Sequence, residues 1–476
     1  MSLFRKILLG IGAVLALLIV LFLAFIGPWP VYTTSGYAEA DYYQNDVAAL
    51  AEQAAAQERT TSPQPLRAGW SAVDMTPKIG VPLAGYSARK GEKRSVGVED
   101  PLFARAIALS DGKETAVLVG VDMLIMPPNV AETVRAKVSE AIGLGAESIL
   151  FAASHSHCGP GGLAPALAME VSGGPYDPEV PPFLTDRISE AIVLAVKDLA
   201  PARLLSGGVE APEFIRNREF NKTPGRPDVV DPEISYCLVE KSDGERCYLV
   251  SYSAHPTTYG SDQMMFSAEY PGAMVRALTG EAKTSAVYLG GAAGSMGPRA
   301  PEAPTEQERI ELMGQGLAAK VLADAAAKET APDAWKDRLD VASIGVPLGM
   351  PSIQVRPFEN NPDWRVSPMV KHILGVPDTG WLSAVRVGDV FFFGTPFDCS
   401  GEMSVRWKAW GAEQGLDLWV TGFNGAYLGY LSPDEYYNMM PMGYETGMMS
   451  WFGPELSAQF TDLLERAVDE LSVPAA

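Results

Sequence analysis

"LFARAIALSDGKETAVLVGVDML", residues 102–124, is two apolar runs on either side of Ser110-Asp111-Gly112. Such runs flanking a Ser-Asp-Gly turn predict an antiparallel hairpin. The chain continues with "NVAETVRAKVSEAIGLG" (129–145), whose apolar residues fall at helical spacing. It then enters "SILFAASHSHCGPGG" (148–162), a strand running into a glycine-rich loop. The same order returns twice. Residues 234–258, "ISYCLVEKSDGERCYLVSYSAHPTT", make a second hairpin, followed by "AEYPGAMVRALTG" and "SAVYLGGAAGSMGP". Residues 382–400, "LSAVRVGDVFFFGTPFDCS", open a third, followed by "EMSVRWKAWGAEQG" and "LDLWVTGFNGAYLGYLS". The expectation is an α/β fold, a layered domain built from recurring β-β-α-β units with its site at the C-terminal ends of the strands.

Polar residues of ligand type recur where these apolar strands stop. The hairpins finish at Asp122, His255 and Asp398; the third strands finish at His155, Gly294-Ser295 and Tyr430. The chain has four histidines in 476 residues, and two of them, His155 and His157, stand one residue apart beside "GPGG". If the strand continued through them, both would point to one face. Two imidazoles there can divide the work, one binding a metal ion and the other handling a proton near substrate. His372, in "VKHILGVP", has no ligand-type neighbours and is read as structural.

Lys and Arg number 37 against 58 Asp and Glu, a net charge of -21, which argues against partners that present phosphates, nucleic acid above all. Protein partners are not legible. The four cysteines, Cys158, Cys237, Cys247 and Cys399, are too scattered for a disulfide framework or a zinc knuckle. A two-residue Asp243-Gly244 turn would pair residue 240 with 247, leaving Cys237 and Cys247 out of register as core residues.

Arg5-Lys6 precede an uncharged run, Ile7 to Ile26, long enough to span a hydrocarbon core of roughly 30 Å. A cleaved signal would carry a small-x-small site close behind it, and Ala38-Glu39-Ala40 lies well past the apolar end. Residues 1–30 are therefore read as a single-pass anchor, with the rest of the chain on the periplasmic or extracellular side by the positive-inside preference. Residues 31–65 read as a helical stalk and linker, and 66–476 as one catalytic domain.

The motif "SHSHCGPGG" (154–162) resembles the His-Thr-His-Ser-Gly-Pro-Gly-Gly signature of the neutral/alkaline, non-lysosomal ceramidases, zinc-dependent amidases that cleave N-acylsphingosines. The likeness continues in order through "AVDMTPKIGVPLAGYS" (72–87), "RNREFN" (216–221), "SYSAHPTT" (251–258), "GTPFDCSGEMS" (394–404), "NGAYLGYLSPDEYY" (424–437) and "GYETG" (443–447). The resemblance implies zinc held by His155, His255, Asp398 and Tyr430, with His157, Arg218 and Tyr444 acting on the substrate. It implies a membrane-anchored amidase that hydrolyses an N-acyl lipid such as ceramide through zinc-activated hydroxide. Alternatives are a zinc hydrolase for another amide or ester, and an anchored binding protein on a retired site.

Two departures from the family pattern stand out. Asp398 replaces a glutamate, and "GSMGP" (294–298) has Gly297 at the position of a serine, with Ser295 two residues earlier. Zinc-activated water needs no serine nucleophile, so Ser295 is not expected to be one. The family's C-terminal immunoglobulin-like domain is not expected after "LSVPAA".

Overall fold

The computed structural model describes residues 2–29, 36–57, 62–370, 374–377 and 379–472. His372 and residues 58–61 of the expected linker lie outside the described residues. Eight strands form the larger sheet: β1 (Arg67–Asp74), β2 (Phe103–Ser110), β3 (Thr115–Val121), β4 (Ile149–Ala153), β5 (Ala200–Glu210), β6 (Glu233–Lys241), β7 (Arg246–Tyr252) and β8 (Thr284–Gly290), in the order β8-β7-β6-β5-β1-β2-β3-β4. Four more, β9 (Val341–Gly349), β10 (Thr379–Val387), β11 (Val390–Gly394) and β12 (Asp417–Thr421), make a second sheet in chain order. Both sheets are mixed. The hairpin pairs β2–β3, β6–β7 and β10–β11 are antiparallel, while β3–β4, β7–β8 and β11–β12 are parallel.

Alternation along the strands explains how the sheets stack. Val117, Val119 and Val121 of β3 and Ile149 and Phe151 of β4 join a core with Val130, Val134 and Val138 of α1 (Pro128–Ile142) and Leu184, Ile188 and Ile192 of α2 (Val180–Lys197). Their neighbours Leu118 and Leu150 point the other way, into a core shared with Val385, Phe392 and Trp419 of the second sheet. Phe391 and Phe393 of β11 face outward again, onto a core that includes Trp407 and Phe460. A period of two with apolar residues on both faces is what a strand buried on both sides requires.

The turn of the second hairpin is one residue longer than its sequence suggests. Glu240 pairs with Arg246, not with residue 247, because Lys241 N–H bonds to the Glu245 carbonyl around a Ser242-Asp243-Gly244 loop in which Gly244 takes φ +83°. Cys237 and Cys247 still face different partners, Leu249 and Val239, and all four cysteines are buried and unpaired.

Helix Asp41–Ala56 is no free stalk. Its Tyr43, Leu50 and Ala54 are buried in the core behind the second sheet, and Asp46 Oδ1 accepts from Gly349 N at 2.9 Å. Helix Leu3–Phe25 is the one helix among the described residues long and apolar enough to cross a membrane. Its mean hydropathy is 3.1 and none of it is buried, a description that also fits a signal sequence.

Candidate metal and active site

Each of the three hairpin–helix–strand passages contributes its strand ends to one spot, though by different backbone routes. After β4 the chain leaves extended geometry: His155 takes φ +65°, so the simple alternation expected for His155 and His157 does not operate. The rings meet nonetheless, 5.0 Å apart and edge to face. His255 follows β7, and its ring centroid lies 4.3 Å from that of His155. The ligating atoms of His155, His157 and His255 all lie within 4.8 Å of one another. The third hairpin brings in Asp398, which pairs in parallel with Tyr430 across the short bridge Asp398–Cys399/Tyr430–Leu431.

Backbone carbonyls fix the imidazole tautomers. His155 Nδ1 is 2.6 Å from the Leu124 carbonyl and His255 Nδ1 is 3.1 Å from that of Ala293. A carbonyl can only accept, so both Nδ1 atoms carry the proton. His155 Nε2 then presents a bare lone pair 3.7 Å from Asp398 Oδ2, and His255 Nε2 accepts a hydrogen bond from His157 Nε2 at 3.1 Å. Burial lowers the pKa of all three rings, that of His155 to about 3, and the nearby Arg218 charge acts in the same direction. Neutral imidazole is the form that ligates a metal.

Asp398 is fully buried, and the Tyr430 hydroxyl is the one donor that bears on its carboxylate. Burial raises its pKa to about 7, against the lowering effects of the Arg218 charge and the Tyr430 hydroxyl. A buried carboxylate with so few donors is costly unless something positive completes it. The three gathered imidazoles, with this carboxylate 3.7 Å from His155 Nε2, suit a small divalent ion of borderline softness.

Arg218 is anchored beside this set. Its Nε and Nη2 donate to the Gly294 carbonyl at 3.0 and 2.7 Å, and Nη2 also donates to the Tyr430 hydroxyl at 2.9 Å. Tyr444 stands at the rim, about half exposed, its ring edge-on to Tyr430 at 5.7 Å. Asp122, by contrast, turns away from the cluster: it pairs with Arg105 at 2.7 Å and caps the Phe103 amide.

Several supporting residues were not legible from sequence. The His155 ring stacks on Phe423 at 4.2 Å and 4°, and Phe423 also takes a left-handed φ, +63°. Arg89 ties the Ala84 and His157 carbonyls together, and Gly85 (φ +111°) is required because a Cβ there would come within 2.6 Å of His157. The aromatic signal in "GYS" was available, since Tyr86 packs against the His157 ring at 4.7 Å. No pattern marked Phe423.

Residues 66–287, which carry His155, His157, Arg218 and His255, match the family described as neutral/alkaline non-lysosomal ceramidase, N-terminal. The chain contains a neutral/alkaline ceramidase N-terminal domain. It is 23% identical over 264 residues to the neutral ceramidase of Mycobacterium tuberculosis, covering 49% of this chain and 41% of that one. It is 25% identical over 220 residues to that of Pseudomonas aeruginosa, covering 44% and 32%. The matches thus span about two-fifths and one-third of the curated relatives' length. The crystal structure of the Pseudomonas aeruginosa neutral ceramidase superposes with a TM-score of 0.73 at 19% identity, over 87% of this chain and 76% of that one. A structure titled "Ceramidase complexed with C2" superposes equally well. The likeness of fold therefore extends well beyond the matched segment.

Proposed function

We propose that the protein is a membrane-anchored, zinc-dependent amidase that hydrolyses the amide of an N-acyl lipid such as ceramide. The observation that carries this reading is the cluster of His155, His157 and His255, with the buried Asp398 carboxylate 3.7 Å from His155 Nε2 and the Nδ1 protons of His155 and His255 committed to backbone carbonyls. His155, His255, Asp398 and Tyr430 would hold the ion. Zinc there would supply a Lewis acid and a means of activating water at neutral pH.

The chain's own residues supply the rest. Arg218 has Nε and Nη2 committed to Gly294 and Tyr430, which aims the guanidinium at the pocket and orients the Tyr430 hydroxyl. Tyr444 offers a phenolic proton to the amide oxygen as negative charge develops on it. His157, kept neutral by burial, takes a proton from the attacking water and returns it to the leaving amine. The helix Leu3–Phe25 would keep the site next to lipid substrate on the far side of the membrane from Arg5 and Lys6. The ceramide assignment draws on the relatives named neutral ceramidase.

One observation favours a second reading within the same chemistry, hydrolysis of a different amide or an ester. Gly297 stands where the resemblance puts a serine, although there is room for a side chain: a Cβ there would meet nothing closer than 3.6 Å. Metal analysis of the purified protein, combined with a hydrolysis screen of N-acyl lipids, separates the readings. Stoichiometric zinc and release of fatty acid from ceramide are expected. Zinc without turnover of any N-acyl lipid would overturn the ceramidase reading in favour of the second, and a metal-free protein of native fold would overturn both.

A further inference from the structure

The end of the apolar helix is docked against the domain. Ile26 and Gly27 pair as a short antiparallel ladder with Val366 and Arg365, and Ser367 N donates to the Phe25 carbonyl at 2.8 Å. Inside the helix, Phe22 meets Trp364 with ring centroids 5.9 Å apart, and Trp364 in turn meets Phe358 at 6.2 Å. Phe22 lies four residues before the end of the uncharged run, about 6 Å along the helix. If the helix spans a bilayer, a ring touching Phe22 sits at the boundary between acyl chains and headgroups, the depth that tryptophan favours.

The same loop holds the rim of the active site. Glu359 accepts at its carbonyl from Met442 N at 3.0 Å, and Arg356 Nη2 donates to the Tyr437 carbonyl at 2.6 Å and to that of Thr446. These bonds fix the segment 437–449, which carries Tyr444, onto the loop that touches the anchor. Facing outward from the two loops are Phe358, Met440, Tyr444 and Met448, all 39 to 52% exposed. Three of them recur every fourth residue.

We infer that loops 358–364 and 437–449 form a bilayer-contacting rim, so that the mouth of the active site opens at the membrane surface. The inference rests on the reading of Leu3–Phe25 as an anchor. The occupant of this apolar rim is the bilayer that holds the anchor. A zwitterionic surface suits it, since Glu359 and Asp363 are exposed on the loop and the chain is strongly acidic. The arrangement gives a lipid amide a path from the bilayer to Tyr444 without passage through water.

The test uses the full chain in phosphatidylcholine vesicles containing a lipid with a shallow doxyl quencher. Phe358→Cys, Met448→Cys and Ser242→Cys are each labelled with bimane; the four native thiols are buried and do not compete. Ser242 is exposed in the β6–β7 turn, at the far end of β7 from His255, about 23 Å of extended chain away. Labels at 358 and 448 should be quenched severalfold more strongly than the label at 242. Equal quenching at all three sites in protein that floats with the vesicles would overturn the rim and leave the anchor standing. Protein that does not float with them would overturn the anchor reading, and the rim with it.

Discussion

Two buried polar clusters lie side by side, and they are finished in opposite ways. Around Glu402 every lone pair is used: Oε1 accepts from Asn217 Nδ2 and from Arg226 Nε and Nη2, while Oε2 accepts from the Ser295 and Ser400 hydroxyls. Burial alone would raise its pKa, but the Arg226 charge and these hydrogen bonds bring it below the usual value. Around Asp398, four residues earlier, the Arg218 charge and the Tyr430 hydroxyl are the only groups that lower its pKa, and burial prevails, raising it to about 7. A carboxylate satisfied from within holds the fold together; one that burial leaves undercompensated beside the bare Nε2 of His155 is suited to something from outside. Ser295 belongs to the first cluster, which is the structural reason to expect it is not a nucleophile.

That contrast is most directly broken at His155 and Asp398. His155→Ala or Asp398→Asn should release the metal and lower kcat/KM by about three decades or more, measured by metal content and turnover on the same samples. Full metal retention in both variants would erase the distinction between the clusters. His157→Ala should keep the metal and lower kcat by about 10²- to 10⁴-fold, the range of an acid/base residue. Loss of metal equal to that in His155→Ala would make His157 a ligand instead.

Arg226→Met tests the cluster around Glu402, which also holds Glu445, a carboxylate whose pKa burial raises to about 7 against the Arg226 charge. It strands Glu402 and Glu445, with which Arg226 pairs at 2.8 and 2.6 Å, and should cost about 3–5 kcal/mol in denaturant unfolding. Ser295→Ala should cost about 1–2 kcal/mol and leave turnover within about tenfold of the parent. Loss of three decades there would move Ser295 into the chemistry. A pH-dependent effect is expected at Asp46, whose pKa burial raises to about 7 from an ordinary value of 3.8. The folded state holds the proton more tightly, so stability contributed at low pH is lost as pH rises from about 4 to 7, by at most about 1.4 kcal/mol per pH unit. Asp46→Asn should flatten that slope in melts at several pH values.

How far the sequence carries depends on what sets each feature. Hairpins and helices follow from local apolar period and turn chemistry, so β2–β3, α1 and β4 stand where residues 102–153 suggest. The gathering of His155, His255 and Asp398 was legible because each follows the end of an apolar strand, although the strands belong to two different sheets. Asp122 shared that signal, and only its partner Arg105, set by the neighbouring strand, takes it elsewhere. The β6–β7 register needed the conformation of Gly244, and the packing of helix Asp41–Ala56 needed a tertiary partner that no local pattern names. Phe423 under His155 is likewise a product of tertiary packing alone.

His155 and Phe423 stack ring on ring from two left-handed backbone positions, φ +65° and +63°. Such conformations cost about 1–3 kcal/mol each for residues other than glycine or asparagine. A screen that rewarded heat resistance alone would therefore be drawn to glycine or asparagine at 155 and 423. It would return a sturdier protein with a disabled site, because the backbone at 155 would suit glycine or asparagine better than the imidazole that serves the site.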